Sequence, residues 1–105
     1  MQPSQELLDE LVRRIIETVD PLQIILFGSA VRGDMTPDSD LDVLVVVPEG
    51  VHRLDATERL HRAMLGLHMP TDFIVTTPQS LEKYKNNSGM IYQNALLEGR
   101  ALYHA

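Results

Sequence analysis

Apolar residues Leu7, Leu8, Leu11, Val12, Ile15 and Ile16 recur three and four apart between Ser4 and about Val19. That spacing lays one apolar stripe along a helix. Ser4 stands where an N-cap hydroxyl is wanted, and Pro21 lies just past the end. The period then changes. Leu22 to Phe27 reads as a buried strand bounded by Pro21 and Gly28. Ala30 to Gly33 suits a short helical turn, and Thr36-Pro37-Asp38 is turn chemistry. Leu41 to Val47 is β-branched and almost wholly apolar, as a central strand covered on both faces is, and Pro48-Glu49-Gly50 ends it. Ala56, Leu60, Ala63, Met64 and Leu67 predict a second helix over about 55–67, with Met64 and Met69 in the core. A short strand over Thr71–Val75, a short helix over Pro78–Tyr84, a helix over Gly89–Leu97 stopped near Gly99, and an edge strand over Ala101–Tyr103 complete the pattern.

These elements predict a single α/β (α+β) domain over 1–105, a small mixed sheet flanked by helices. The strand, helix, strand order from Leu41 to Val75 is a crossover unit, so its two strands are expected to be parallel neighbours with their starts at one end of the sheet. The link from Phe27 to Leu41 holds little helix, which favours an antiparallel pair. Gly28-Ser29 at the end of the first strand, Asp40 and Asp42 at the start of the second, and Asp72 at the start of the third then share one edge.

That convergence gives the acidic residues a chemical meaning. Asp40 and Asp42 are two apart, hence on one face of a strand. Adjacent carboxylates repel unless protonated or bound to a cation, and hard oxygen ligands suit Mg²⁺. Gly28-Ser29 offers backbone N–H groups and a hydroxyl to a phosphate. Phosphate donors beside a carboxylate metal site point to nucleotidyl transfer. Arg32 has two open roles, pairing with a loop aspartate or touching a phosphate. Asp34 and Asp38 read as solvated loop residues.

Composition narrows the picture further. The chain has 105 residues, no cysteine, and 15 acidic against 9 basic residues, for a net charge of −6. Disulfides and thiolate metal sites are excluded, and tight binding to a nucleic-acid backbone is not expected. No apolar run is long enough to span a bilayer, so the expectation is a soluble, cytoplasmic protein. Four aspartates between Asp34 and Asp42 would repel free nucleotide and tolerate a nucleotide carrying Mg²⁺. The spacing of Asp38, Asp40, Asp42 and Glu49 mimics a calcium loop, but Val43 stands where that loop needs glycine. His52, His61, His68 and His104 share no metal spacing and read as surface or capping residues. Lys83, Lys85, Asn86 and Asn87 read as a solvated helix end, and Tyr84, Tyr92 and Tyr103 as packing or partner-contact residues.

The run Gly28-Ser29-Ala30-Val31-Arg32-Gly33, followed by Ser39-Asp40-Leu41-Asp42, resembles the signature of the nucleotidyltransferase superfamily that includes DNA polymerase beta. The small size is similar to its minimal nucleotidyltransferase (MNT) branch, commonly the antitoxin half of HEPN/MNT toxin–antitoxin pairs. The resemblance implies the nucleotidyltransferase fold, ATP as donor, two Mg²⁺ ions, and adenylyl transfer to a hydroxyl, in antitoxin members a tyrosine of the HEPN toxin. It also implies that Asp40 and Asp42 are metal ligands. Asp72 would be the third catalytic carboxylate, which helps hold the catalytic metal and can take the acceptor proton. Gly28 and Ser29, with Arg32 and Ser39 of the same motif, would face the nucleotide. Two rivals stand beside this expectation: a binding antitoxin that neutralises its partner by occlusion, and a nucleotidyltransferase acting on a small molecule. Acceptor, base preference and oligomeric state, a homo-oligomer included, stay open.

Overall fold

Ser4 caps the first helix, its Oγ accepting a hydrogen bond of 3.1 Å from the Leu7 N–H. A computed structural model of the chain describes residues 3–85 and 91–105. Helix α1 (Gln5–Val19) closes on Asp20, whose left-handed backbone (φ 51°) lets its N–H reach the Ile16 carbonyl. Pro21 then bars any continuation. There follow β1 (Gln23–Phe27), α2 (Ser29–Arg32), β2 (Leu41–Val46), α3 (Arg53–Ala63), β3 (Thr71–Thr76), α4 (Pro78–Tyr84), α5 (Ile91–Glu98) and β4 (Arg100–His104).

The four strands form one mixed sheet in the order β3-β2-β1-β4. β1 runs antiparallel to β2 and β4, and β2 runs parallel to β3, as their connections require. Side chains alternate between the two faces of a strand, and the core divides accordingly. Leu41, Val43, Val45 and Val47 join Ile24, Leu26, Phe73 and Val75 beneath α1 and α3, where Leu8, Leu11, Ile15, Ala56 and Leu60 are buried. Ile25, Phe27 and Leu44 face the other way, against Tyr92 and Ala95 of α5, with Leu81 and Tyr84 of α4 beside them. The Arg14 guanidinium donates to the carbonyls of Ala63 (3.1 Å) and Leu65 (2.9 Å), which ties α1 to the orphan carbonyls at the end of α3.

One boundary departs from the pattern by several residues. α3 stops at Ala63 rather than near Leu67, because Gly66 (φ 85°) and His68 (φ 64°) take left-handed backbone that a helix cannot pass. Leu67 is still buried, delivered to the core by the turn. Met64 and Met69 pack against that core only partly buried. The expected start of the last helix at Gly89, and Asn86 and Asn87, lie outside the described residues. No helix among the described residues is long and apolar enough to cross a membrane.

The corner between α5 and β4 leaves no room for a side chain. A Cβ on Gly99 would run into the Ala95 carbonyl and the Ile25 side chain, while the Gly99 N–H bonds that carbonyl at 2.9 Å. Gly99→Ala should therefore destabilise the domain by about 1–3 kcal/mol, the usual range for overpacking. Urea unfolding would measure it, and an unchanged midpoint would show that the corner yields freely.

Candidate active site

β1 ends where β2 and β3 begin. Phe27 stands opposite Asp42 across the antiparallel pair, and Asp42 stands opposite Asp72 across the parallel one. Phe27, Asp42 and Asp72 thus follow one row across the sheet, with Gly28 next along the chain beside it, as strand direction predicts. Strand parity sets Asp42 with Leu44, and Asp72 with Ile74, on the face that carries α4 and α5. Asp40, just before β2, is exposed, as is Asp72, whereas Asp42 is half-buried.

Gly28 is buried, and its backbone (φ 76°, ψ −150°) lies in a region that essentially only glycine occupies. A Cβ there would collide with the Asp42 carboxylate. The glycine is therefore what lets the first turn of α2 lie directly against the acidic edge. The Gly28 carbonyl accepts from the N–H groups of Val31 and Arg32, both at 3.1 Å, and the turn closes through Gly33 (φ 83°) onto the Ser29 carbonyl. Ser29 and Ala30 open the helix, so their N–H groups have no intrahelical acceptor.

The loop back to β2 is pinned from two sides. Met35 is buried in the core below it. The Ser39 hydroxyl accepts from the Thr36 N–H at 2.9 Å and lies 3.1 Å from the Thr36 Oγ1. Ser39 is thus engaged in closing the loop. Arg32, half-exposed, reaches Asp34 Oδ2 through Nε (3.3 Å) and Glu98 Oε2 through a terminal nitrogen (3.5 Å). The chain order gave no sign of the Glu98 contact, which spans most of the protein. Met35 did leave a trace, as the lone apolar residue in an otherwise polar loop.

Burial pushes the Asp42 carboxyl above its ordinary range, and the neighbouring Asp72 and Asp40 charges push the same way, with Arg32 opposing. An ionised Asp42 is therefore unfavourable until a cation approaches. Among the described residues, no group of three or more His, Asp or Glu side chains is gathered as a ready-made metal cage. The donor set still fits Mg²⁺, which is held by one or two carboxylates completed by substrate phosphates rather than by an all-protein cage.

Two of the histidines have structural contacts. His52 Nδ1 caps α3 by accepting from the Asp55 N–H (3.2 Å), and the His61 ring meets Phe73 edge-on at 5.4 Å. Lys85 pairs with Glu82 (2.9 Å), and the Lys83 ammonium sits over the Tyr84 ring. A cavity of about 440 Å³, lined by Leu22, Val46, Leu81, Leu96 and His104 among others, lies at the opposite end of the sheet from the aspartates.

A family model described as "Nucleotidyltransferase domain" matches residues 6–101. The chain is 37% identical over 82 residues to the Methanocaldococcus jannaschii protein named "Putative protein adenylyltransferase MJ0604", covering 77% of each. Among solved structures it is similar to a chain of a toxin–antitoxin complex with AMP-PNP, at TM-score 0.62 and 19% identity, covering 93% of this chain and 73% of that one. It is also similar to a chain of the tri-AMPylated Shewanella oneidensis HEPN toxin in complex with MNT antitoxin, at TM-score 0.57 and 16% identity, covering 96% and 72%. At these identities the structural likeness speaks for the fold.

Proposed function

We propose that this chain, which belongs to the nucleotidyltransferase family, moves AMP from Mg²⁺-bound ATP to a hydroxyl of a partner protein. The observation that carries the reading is the register of Asp42 with Asp72 directly beside Gly28. One row of the sheet thereby brings carboxylates and a turn with free N–H groups to the same place. Asp40, Asp42 and Asp72 would hold Mg²⁺, two ions in the full site. When bound, the metal supplies charge neutralisation on the phosphates and a lowered pKa for the attacking hydroxyl.

The chain's own groups then have distinct tasks. The Ser29 and Ala30 N–H groups, the Ser29 hydroxyl and Arg32 hold the triphosphate. Gly28 lets it approach the backbone closely. Ser39 acts by fixing the loop that sets Asp40 and Asp42. The acceptor oxygen forms a bond to the α-phosphorus, the bond from that phosphorus to the bridging oxygen breaks, and pyrophosphate leaves. The acceptor proton passes to Asp72, the most exposed side of the row and the one an incoming protein can reach. Positioning of the two reactants supplies much of the acceleration.

Residues 1–105 act here as one minimal nucleotidyltransferase domain. The name of the 37%-identical relative supports a protein acceptor, and the AMPylated HEPN toxin among the structural neighbours supports a HEPN-type toxin in that role; a tyrosine as the hydroxyl donor is what the resemblance to MNT antitoxins implies. A net charge of −6 favours rapid encounter with a basic RNA-cleaving partner. The test incubates a purified HEPN-type toxin with trace amounts of this protein, labelled ATP and Mg²⁺, and follows the toxin by mass spectrometry. The expected result is adenylate mass on the toxin and its inactivation at far less than one copy per toxin. Protection that needs one copy per toxin and ignores ATP would replace this reading with occlusion.

A further inference from the structure

We infer that Glu98 competes with the nucleotide for Arg32: in the empty protein its carboxylate holds the guanidinium, and a triphosphate must displace it to bind. The inference rests on the proposed role of Arg32 as a triphosphate ligand and adds a residue from the far end of the chain.

The position of Glu98 is fixed by its surroundings. It is the last residue of α5, whose Ala95 is fully buried against the β1–β2 face. The next residue, Gly99, is wedged against Ile25 and bonded to the Ala95 carbonyl. Arg100 then pairs with Leu26, two residues before Gly28. The end of α5 is thereby locked beside the turn that precedes Arg32, and Glu98 comes within 3.5 Å of the Arg32 guanidinium. Asp34 takes the Nε side of the same group at 3.3 Å. Arg32 is also close enough to the acidic row for its charge to oppose the raised pKa of Asp42.

The strengths of these contacts determine which partner wins. Both ion pairs are long, and the Arg32, Asp34 and Glu98 side chains are each about half exposed or more. Exposed pairs of this kind hold weakly. A triphosphate brings several charges and a geometry that a planar guanidinium can grip in two places. It therefore takes Arg32 from Glu98, and binding gives up whatever the ion pair contributed. Glu98 also leaves a carboxylate near the incoming phosphates, which adds repulsion. Both effects lower affinity, and the first operates only through Arg32.

A double-mutant cycle separates them. Calorimetry would titrate a non-hydrolysable ATP analogue with Mg²⁺ into wild type, Glu98→Gln, Arg32→Gln and the double variant at fixed ionic strength, with Glu98→Asp as the charge-keeping control. Glu98→Gln should bind about two- to five-fold more tightly, the scale set by an exposed ion pair. Glu98→Asp should stay near wild type, and Arg32→Gln should bind more weakly. The double variant should bind only slightly more tightly than Arg32→Gln, by the relieved repulsion alone, because the competition has nothing left to act through. An unchanged or weakened Glu98→Gln would overturn the inference. So would an equal gain in the absence of Arg32, which would reduce Glu98 to a distant repulsive charge. If Arg32→Gln binds as well as wild type, Arg32 is no triphosphate ligand and the inference falls with that assignment. No analogue binding by wild type would reject the nucleotide site itself.

Discussion

Asp42→Asn is expected to remove nearly all nucleotidyl transfer and to raise the melting temperature of the nucleotide-free protein. The two effects come from one feature. Asp42 is half-buried, in register with Asp72 and close to Asp40, and burial and like charge together push its carboxyl above the ordinary range. A folded-state pKa above the unfolded one means that the native state binds the proton more tightly. The stabilisation that this proton gives is present at low pH and is lost as pH rises through the folded pKa. At neutral pH the ionised side chain is a burden on the empty protein. Asparagine keeps the shape and removes the charge. The rise should be a few degrees at most, since about 1 kcal/mol moves a domain of this size by roughly 4–8 °C. It should shrink toward acid pH, where wild-type Asp42 is itself neutral. Transfer should fall by roughly 10²–10³-fold, the scale on which a site loses a group that stabilises transition-state charge. Calorimetric melts across the acid range and a labelled-ATP transfer assay measure both effects. A variant that keeps transfer would remove Asp42 from the proposed site. One that melts lower than wild type at neutral pH would contradict the electrostatic account.

Gly28→Val should be the most damaging change in the phosphate-facing turn. Two costs add. Valine must adopt a backbone conformation essentially reserved for glycine, for about 1–3 kcal/mol, and its side chain must displace the Asp42 carboxylate. The expected outcome is a loss of about 2–4 kcal/mol in stability, together with a loss of nucleotide affinity beyond ten-fold. Gly28→Ala carries the same backbone cost with a smaller intrusion, so it stays folded enough to measure. Ser29→Ala removes one hydroxyl and leaves the backbone donors, and its effect on affinity should be the smallest of the three. Urea unfolding and calorimetry with an ATP analogue give the two quantities separately. Wild-type affinity in Gly28→Ala would mean that the turn does not approach the phosphates.

Much of this site could be read from the chain because it is built from local rules. The stripe from Leu7 to Ile16, the Ser4 cap and the apolar run over 41–47 each form their element from neighbours in sequence. Strand direction follows from connection length, so the shared edge of Gly28, Asp40, Asp42 and Asp72 could be placed without coordinates. Where the pattern misled, a backbone property was hidden in it. Leu67 satisfies the helical period and is buried, yet it reaches the core from a turn, because apolar spacing reports which side chains go inside and not the φ that carries them there. His68 likewise takes φ 64°, which the apolar period does not report.

By itself, the sequence determined the element order, the antiparallel and parallel pairings and the gathering of carboxylates at one end of the sheet, since each depends on short-range periodicity and chain connectivity. Only the tertiary structure decided the rest. The 41–47 run is apolar at every position but Asp42, so its pattern could not say which face meets α1 and α3 and which meets α5. Packing settled that choice and put Asp42 on the α5 side. Packing also turned Gly28 from a flexible residue into one whose missing Cβ makes room for a carboxylate. It set Glu98 against Arg32 by closing the sheet with β4. These relations join residues distant in the chain, and they exist only once the helices are laid on the sheet and volume is filled.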